Sequence, residues 1–230
     1  MANIKDKSED RIVAVEEALG KSEQFIEKNK NLLFYILLGI IVIIGGYFGY
    51  KKFILGPKEK EAQSVMFAAE QYFGMDSLKL AINGDGKNPG FIEIVDQYGS
   101  TKTGNLAKYY LGISYLKMGK FQEAIDNLGD FKSDDQIVGA MAIGAMGDAY
   151  MELGETDKAI DYYNKAAGKK DNDFTTPLFL MKVGMAYEIK SDFAKAVEVY
   201  TKIQKEHFRS FEARDIEKYI ARAKGLGGIK

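Results

Sequence analysis

Cysteine and tryptophan are absent from this chain, and histidine occurs once, as His207. Without cysteine the chain forms no disulfide and carries no thiol nucleophile, and a single histidine makes a zinc or iron–sulfur site a poor expectation. Charge of one sign is lacking too, because 32 basic residues stand against 33 acidic ones. A balanced chain has no basic face for nucleic acid. These absences point away from redox, metal and nucleic-acid functions.

Paired catalytic groups are also missing. The carboxylates are spread over positions typical of solvated helix faces, and no acid pair or nucleophile–base motif stands out. We interpret His207, within Glu206-His207-Phe208, as structural or exposed. The glycine-rich cluster at 83–87 lacks the downstream glutamate of a calcium loop and the Gly-Lys-Ser/Thr of a phosphate loop, so it predicts a plain turn. We therefore expect no enzyme activity, no cofactor and no metal.

One apolar segment breaks the otherwise soluble composition. Residues 31–50 carry no charge and as a helix would span about 30 Å, the thickness of the bilayer hydrocarbon core. Lysines and tyrosines flank it at both ends, as in a membrane span. A buried core helix and a cleaved signal peptide are the alternatives, but the segment is apolar all round and no small-residue cleavage site follows it. Residues 31–52 are predicted as an uncleaved signal anchor, in which Gly45 and Gly49 allow close packing against another helix.

The remaining organisation is helical. Residues 1–30 are a charged tail with an amphipathic pattern through Ile12, Val15, Leu19 and Ile26, interpreted as a helix lying on the membrane or docking a membrane partner. A stalk at 53–61 leads into helices at 62–103, a degenerate first repeat. Helix starts are predicted at Asn88-Pro89, at a Ser133 capping box and at Thr176-Pro177. Residues 210–230 form a capping helix and tail.

A pattern recurs three times between residues 104 and 209. A Gly-x-x-Tyr motif is followed twelve residues after its glycine by alanine, and sixteen residues after it by a bulky side chain. The glycines, alanines and bulky residues are Gly112, Ala124, Leu128, then Gly147, Ala159, Tyr163, then Gly184, Ala196, Tyr200. Spacings of 35 and 37 residues lie close to the tetratricopeptide (TPR) period of 34. The offsets predict helix pairs in which the glycine and the alanine meet. The fold class is therefore all-α, a membrane helix followed by a TPR α-solenoid.

Solenoids of this kind mostly bind proteins, and the first helix of each pair lines the groove. Methionine-rich linings adapt to varied partners. The predicted wall of the groove also includes Gly144. The alternative is that some of the wall positions are core between repeats, or that the chain's own amino-terminal or carboxy-terminal helix fills the groove. The candidate binding residues are Tyr109, Ile113, Leu116, Lys117, Met141, Asp148, Met151, Glu152, Leu178, Met181, Met185 and Glu188.

The whole arrangement resembles the YfgM-like ancillary proteins of the bacterial Sec translocon, and most closely the membrane-anchored TPR proteins of the Bacteroidota. The similarity lies in residues 81–86, 90–94, 104–110 and 215–222 and extends over nearly the whole chain. The resemblance implies a single-pass protein of the bacterial inner membrane with its amino terminus in the cytoplasm and its repeats in the periplasm. The implied partners are the SecYEG channel, a membrane-anchored peptidyl-prolyl isomerase-like chaperone and nascent secretory polypeptides.

Charge alone does not fix this orientation, because lysines flank both ends of the apolar segment. A scaffold for another envelope complex, without contact to unfolded polypeptides, is the alternative function. A receptor anchored with its repeats in the cytosol is a third hypothesis.

Overall fold

The computed structural model describes the backbone of residues 2–230 and the side chains of residue 25 and of residues 27–230. The chain divides into two compact units, Met1–Pro57 and Lys58–Lys230. Within the described residues there is no strand, so the all-α prediction is confirmed.

The first unit is a long helix, α1 (Ala2–Tyr50), followed by a π-helical turn (Lys51–Leu55). Its apolar segment reaches a mean hydropathy of 2.4 over an 18-residue window, and none of that window is buried against protein. By length and composition this is the one helix among the described residues that could cross a bilayer. The amphipathic face predicted for residues 1–30 falls on side chains outside the described part of the chain.

The second unit consists of helices connected by turns and short loops, with a final cap, and its first helix begins two residues before the boundary between the units. The helices are α2 (Gly56–Gly74), α3 (Leu78–Asn83), α4 (Phe91–Tyr98), α5 (Lys102–Lys117), α6 (Phe121–Asp130), α7 (Gln136–Glu152), α8 (Thr156–Ala167), α9 (Thr175–Ile189), α10 (Phe193–Glu206) and α11 (Ile216–Gly227), the last preceded by a 3₁₀ turn at Glu212–Asp215. Three pairs, α5 with α6, α7 with α8 and α9 with α10, hold the three sequence repeats, and α11 packs on α10.

The turns inside the three pairs share one backbone geometry. Gly119, Gly154 and Ser191 have φ values of 74°, 75° and 59°, in the left-handed region. In each turn the next residue donates its N–H to the carbonyl of the repeat tyrosine, as Lys120 does to Tyr115 at 2.9 Å. This is the Schellman closure of a helix carboxyl end, which favours glycine because a Cβ is strained at positive φ.

The same turn also follows α2. Asp76 has φ 55°, and Ser77 donates its N–H to the carbonyl of Tyr72 at 2.9 Å. Ala69 then occupies the position of the repeat glycines, and Ala81, twelve residues later, is fully buried like the repeat alanines. The α2–α3 pair therefore shares its turn and its small buried residues with the later pairs.

The glycines of the three repeats do not chiefly contact the alanine twelve residues later, contrary to the prediction from the sequence. Each lies against the bulky side chain sixteen residues later, rather than chiefly against the alanine. A Cβ built at Gly112 would stand 2.6 Å from Leu128 Cγ, and one at Gly147 would stand 2.6 Å from the ring of Tyr163. Ala124, Ala159 and Ala196 are fully buried beside them. The absence of a side chain on the first helix makes room for a large one on the second.

Three predicted helix starts are wrong. The cap of α7 is Asp135, whose carboxylate accepts the N–H groups of Ile137 and Val138 at 2.8 and 2.7 Å, and Ser133 only accepts the N–H of Asp135. Both residue types cap helices well, so the sequence offers competing starts.

At α4 and α9 the capping side chains also differ from those expected. Helix α4 starts after Gly90, while Asn88 bonds Asp85. Before α9, the Asn172 side chain accepts the N–H groups of Phe174 and Thr175, and the Thr176 hydroxyl instead donates to the Ala167 carbonyl.

Candidate protein-interaction surface

The first helices of the three repeats, α5, α7 and α9, form what we call the inner face. All twelve residues predicted for the groove lie at least partly exposed in the structure. Gly144, which the sequence also placed on this face, is an exception: it is buried, and a Cβ there would overlap the ring of Phe179. That position is therefore inter-repeat core.

Five of the predicted residues line one depression of about 500 Å³. They come from two repeats, Leu116 and Lys117 from the end of α5 and Asp148, Met151 and Glu152 from the end of α7. Gly119, Phe121 and Tyr163 complete the lining. The sequence missed Phe121 and Tyr163 because both belong to the second helices of their pairs, which were expected to face away. The Tyr163 ring reaches the inner face because Gly147 leaves room for it between the two helices.

The predicted residues of α9 lie outside that depression. Leu178 and Met181, like Met141 of α7, are half-buried and pack against the hydrophobic cluster that runs from Ala140 in α7 to Ala223 in α11. Met185 is 37% exposed, and Ile189, one turn further on, is 64% exposed. Ile189 was not predicted, although its spacing of four from Met185 would have placed it on the same stripe.

Two acidic residues of the predicted surface are bonded inside the array. The carboxylate of Asp148 accepts the hydroxyl of Tyr163 at 2.7 Å and the ammonium of Lys182 at 2.5 and 2.8 Å. Glu188 repeats the arrangement, accepting the hydroxyl of Tyr200 at 2.8 Å and Arg222 Nη2 at 2.9 Å. In both cases the cation lies 34 residues further along the chain and belongs to the next structural unit.

These contacts raise the pKa of both tyrosines. Burial raises the pKa of Tyr163, and the hydrogen bond to Asp148 raises it further. Tyr200 shows the same upward shift of its pKa from burial and from the hydrogen bond to Glu188. Both hydroxyls stay protonated at physiological pH and act as fixed donors. They hold the carboxylates in position for the neighbouring cations.

The remaining charged residues differ from one another. The ammonium of Lys117 bonds Asp76 at 2.7 Å, so this cation too is paired within the array. Glu152 is exposed and makes no ion pair within the part of the chain that the structure describes. The depression therefore presents apolar side chains, internally neutralised charges and one free carboxylate.

Catalytic or metal chemistry finds no support at this surface. Within the described side chains, no group of three or more histidine, cysteine or acidic residues is arranged to hold a metal. His207 is buried, with Nδ1 at 3.1 Å from Asp173 and Nε2 at 3.6 Å from Asp171, a structural placement that connects two loops. In the first unit, the positions of Gly45 and Gly49 are open: nothing lies within 4 Å of where a Cβ would stand.

Comparison with known proteins identifies the repeats. Residues 106–135 and residues 142–168 each match a family model described as tetratricopeptide repeat. No curated protein sequence matches the chain.

Among solved structures, two crystal structures of the nearly identical TPR-like repeats assigned to a Podosopora anserina kinesin light chain are similar. One, a variant with a single substitution, is 14% identical to this chain with a TM-score of 0.56, and the other is 16% identical with a TM-score of 0.57. Each match covers 74% of this chain and 88% of the other. At such low identity the likeness establishes the fold alone. The second unit is a TPR-like repeat array, a fold that typically serves as a non-catalytic scaffold.

Proposed function

We propose that this chain is a non-catalytic, single-pass protein of the bacterial inner membrane whose TPR array holds a polypeptide partner beside the SecYEG translocon. The partners are the channel itself, a membrane-anchored peptidyl-prolyl isomerase-like chaperone and emerging secretory polypeptides. Three observations support the proposal: the TPR repeats, the apolar helix and the resemblance of the sequence to translocon-associated proteins.

The depression between α5 and α7 is the observation that carries the proposal. Its apolar part is made by Leu116, Phe121 and Met151, with the Tyr163 ring beside them. A depression of this size accepts one or two apolar side chains of a partner, in the way that a groove takes the anchor residues of a helix or an extended segment. Methionine adapts to different shapes because its side chain is flexible and polarizable.

Internal pairing of the charges favours an apolar partner. Lys117, Asp148 and Glu188 are each paired with an oppositely charged residue of the array itself. A partner that relied on ion pairs would have to displace these contacts, whereas an apolar segment would leave them in place. Such a surface suits an incompletely folded polypeptide or the apolar face of a chaperone helix.

Two substitutions in the depression test this proposal in the full-length protein. Met151→Glu puts a carboxylate beside Asp148 and Glu152, and Glu152→Lys reverses the one free charge at little cost to folding because that side chain is exposed. The tagged protein is purified from membranes in mild detergent, and the SecYEG subunits and the chaperone that accompany it are quantified by mass spectrometry. Ile92→Glu is the matched control, since Ile92 is a 43% exposed apolar residue of α4 outside the depression.

We expect Met151→Glu to lose the chaperone and the channel, because it puts a charge into the apolar lining. Glu152→Lys and the Ile92→Glu control should keep both partners, with thermal melts equal to that of the parent. Undiminished capture by Met151→Glu would remove the depression from the proposal, and loss of capture by Glu152→Lys would contradict an apolar partner. Reproducible capture of a different envelope complex, unaffected by SecYEG depletion, would instead support the alternative scaffold function.

A further inference from the structure

The loops that join successive helix pairs lie along one edge of the array, which we call the loop edge; it comprises residues 131–135, 168–174 and 207–211. Hydrogen bonds connect each loop to its neighbour. The Asn105 amide at the start of α5 donates to the carbonyl of Lys132 at 2.8 Å, and Lys169 donates its ammonium to the carbonyl of Ser133 at 2.8 Å. Beyond them, His207 contacts Asp173 at 3.1 Å. The three loops therefore form one continuous border.

The second unit begins at the same edge. Glu59, in the first turn of α2 within this unit, accepts the N–H of Thr103 at 3.1 Å and its hydroxyl at 2.9 Å. Thr103 lies in the first turn of α5, next to Asn105 and therefore beside the first loop of the edge. The chain thus enters the array at the border that carries the loops.

Three phenylalanines project from the far part of the loop edge. Phe174, Phe208 and Phe211 are 63%, 66% and 75% exposed, among the largest exposed fractions of any apolar side chain in the array. Two of them carry an arginine on the ring: Arg209 lies 5.3 Å from the centroid of Phe208, and Arg214 lies 5.2 Å from that of Phe211. Exposed aromatic rings with arginine beside them are the side chains that enter a lipid–water interface, where the ring is buried and the cation meets anionic headgroups.

Acidic and basic side chains are mixed around the phenylalanines. Asp173 and Asp171 lie 3.1 and 3.6 Å from the two nitrogens of the buried His207, and Glu206 and Glu212 lie within two residues of Phe208 and Phe211. The cations there are the exposed Lys170, Arg209 and Arg214. A contact with lipid would therefore depend on the aromatic rings, with the two arginines placed beside them.

We propose that the loop edge rests on the lipid–water interface of the membrane that anchors the chain, with Phe174, Phe208 and Phe211 entering the headgroup region. The inference depends on the proposed membrane anchor, because an anchor that ends only a few residues before Glu59 keeps this edge near the bilayer. It adds a second, peripheral attachment that would fix the orientation of the inner face relative to the membrane surface.

The experiment uses the full-length chain reconstituted in vesicles of phosphatidylethanolamine and phosphatidylglycerol. Because the chain has no cysteine, single cysteines can be introduced and labelled with an environment-sensitive fluorophore. The test positions are Phe174→Cys and Phe208→Cys, and quenching by lipids brominated near the headgroup is measured. Ile189→Cys is the matched control: Ile189 is equally exposed at 64% and ends the helix that starts beside Phe174, about 20 Å away at roughly 1.5 Å per residue.

We expect blue-shifted, strongly quenched emission at both test positions and solvent-like, unquenched emission at Ile189→Cys. The double variant Phe208→Ser and Phe211→Ser should reduce the quenching at Phe174→Cys. Equal emission at the test and control positions would overturn the inference. Val42→Cys, in the apolar segment, separates the two proposals. Quenching there by lipids brominated at the chain ends, without quenching at the loop edge, rejects the loop contact alone. A lack of quenching at Val42→Cys rejects the anchor and the loop contact together.

Discussion

At the scale of single residues, the array depends on glycines that leave room for a large side chain sixteen positions later. Tyr163 and Tyr200 are 4% and 0% exposed and lie where the Cβ atoms of Gly147 and Gly184 would otherwise stand. Each tyrosine ring also orients a hydroxyl toward a carboxylate of the first helix, Asp148 or Glu188. One glycine position thus determines both the packing of a helix pair and the hydrogen bond that leads to the next repeat.

Gly147→Ala should destabilise the array although alanine is the better helix former. The new Cβ would lie 2.6 Å from two atoms of the Tyr163 ring, and overpacking of a closed core costs about 1–3 kcal/mol. The measurement is the free energy of unfolding of the full-length protein, followed by circular dichroism in detergent.

Gly129→Ala is the control for that substitution. Gly129 is an exposed helical glycine of α6 with nothing within 4 Å of its Cβ position, so alanine there should stabilise by about 0.5–1 kcal/mol through helix propensity. A Gly147→Ala protein as stable as the parent would contradict the close approach of the two helices.

At the scale of elements, the helix pairs were predictable, whereas the contacts between them were not. The offsets of twelve and sixteen residues repeat along the chain, so the register of Gly147, Ala159 and Tyr163 is visible in the sequence. Helix starts were harder to predict, because Ser133 and Asp135 are both good caps and only tertiary packing decides between them. The pairing of Asp148 with Lys182 joins residues 34 apart, and no local pattern indicates such a partner. Five of the eight residues that line the depression were named from the sequence, whereas Gly119, Phe121 and Tyr163 were not.

The amino terminus of α5 is capped partly by a side chain of another helix. Its cap, Thr101, accepts the N–H of Gly104 at 2.9 Å, and Glu59 of α2 accepts the N–H of Thr103. A carboxylate beside the positive end of a helix is stabilised by the unpaired N–H groups there. Burial raises the pKa of Glu59, but the hydrogen bonds from the backbone and hydroxyl of Thr103 and from Gln63 outweigh it, so this pKa lies below its usual value.

Acid should therefore weaken the contact between α2 and α5. A carboxyl group whose pKa is lower in the folded state contributes stability that is complete above its unfolded pKa, about 4.3, and that is lost as the pH falls through the folded pKa. We expect Glu59→Gln to melt at a lower temperature than the parent at pH 7, and the difference between the two to shrink below the unfolded pKa.

Melts over a pH series measure that difference, and Glu198→Gln is the control, since Glu198 is an exposed residue of α10. If the melting temperatures of the parent and of Glu59→Gln depend on pH in the same way, the carboxylate of Glu59 does not stabilise the amino terminus of α5.

At the scale of the whole molecule, stability is arranged as a series of neighbouring contacts. Three hydrophobic clusters follow one another along the array, and the last extends through α10 to Ile216 and Ala223 of the capping helix α11. Contacts between residues 34 apart recur at Asp148 and Glu188. In a solenoid each unit is stabilised mainly by its neighbours. The inner face therefore depends on the order of the repeats rather than on one central core.

The orientation of the chain in the membrane is the prediction that separates the proposed function from a cytosolic receptor. We expect trypsin added to spheroplasts to cleave the array while an epitope at the amino terminus stays protected on a fragment that retains the apolar helix. The exposed Lys169 and Lys170, in the loop after α8, are accessible sites for the first cut.

Lysed spheroplasts supply the control for this experiment, because trypsin then reaches both sides of the membrane and should remove the epitope as well. A soluble cytoplasmic protein monitored in the same samples reports whether the spheroplasts stayed intact. Lysines flank the apolar helix on both sides, so the charge distribution does not decide the outcome in advance. An array that survives in intact spheroplasts and is digested only after lysis would place the repeats in the cytosol, and the translocon-side function would then have to be abandoned in favour of the receptor.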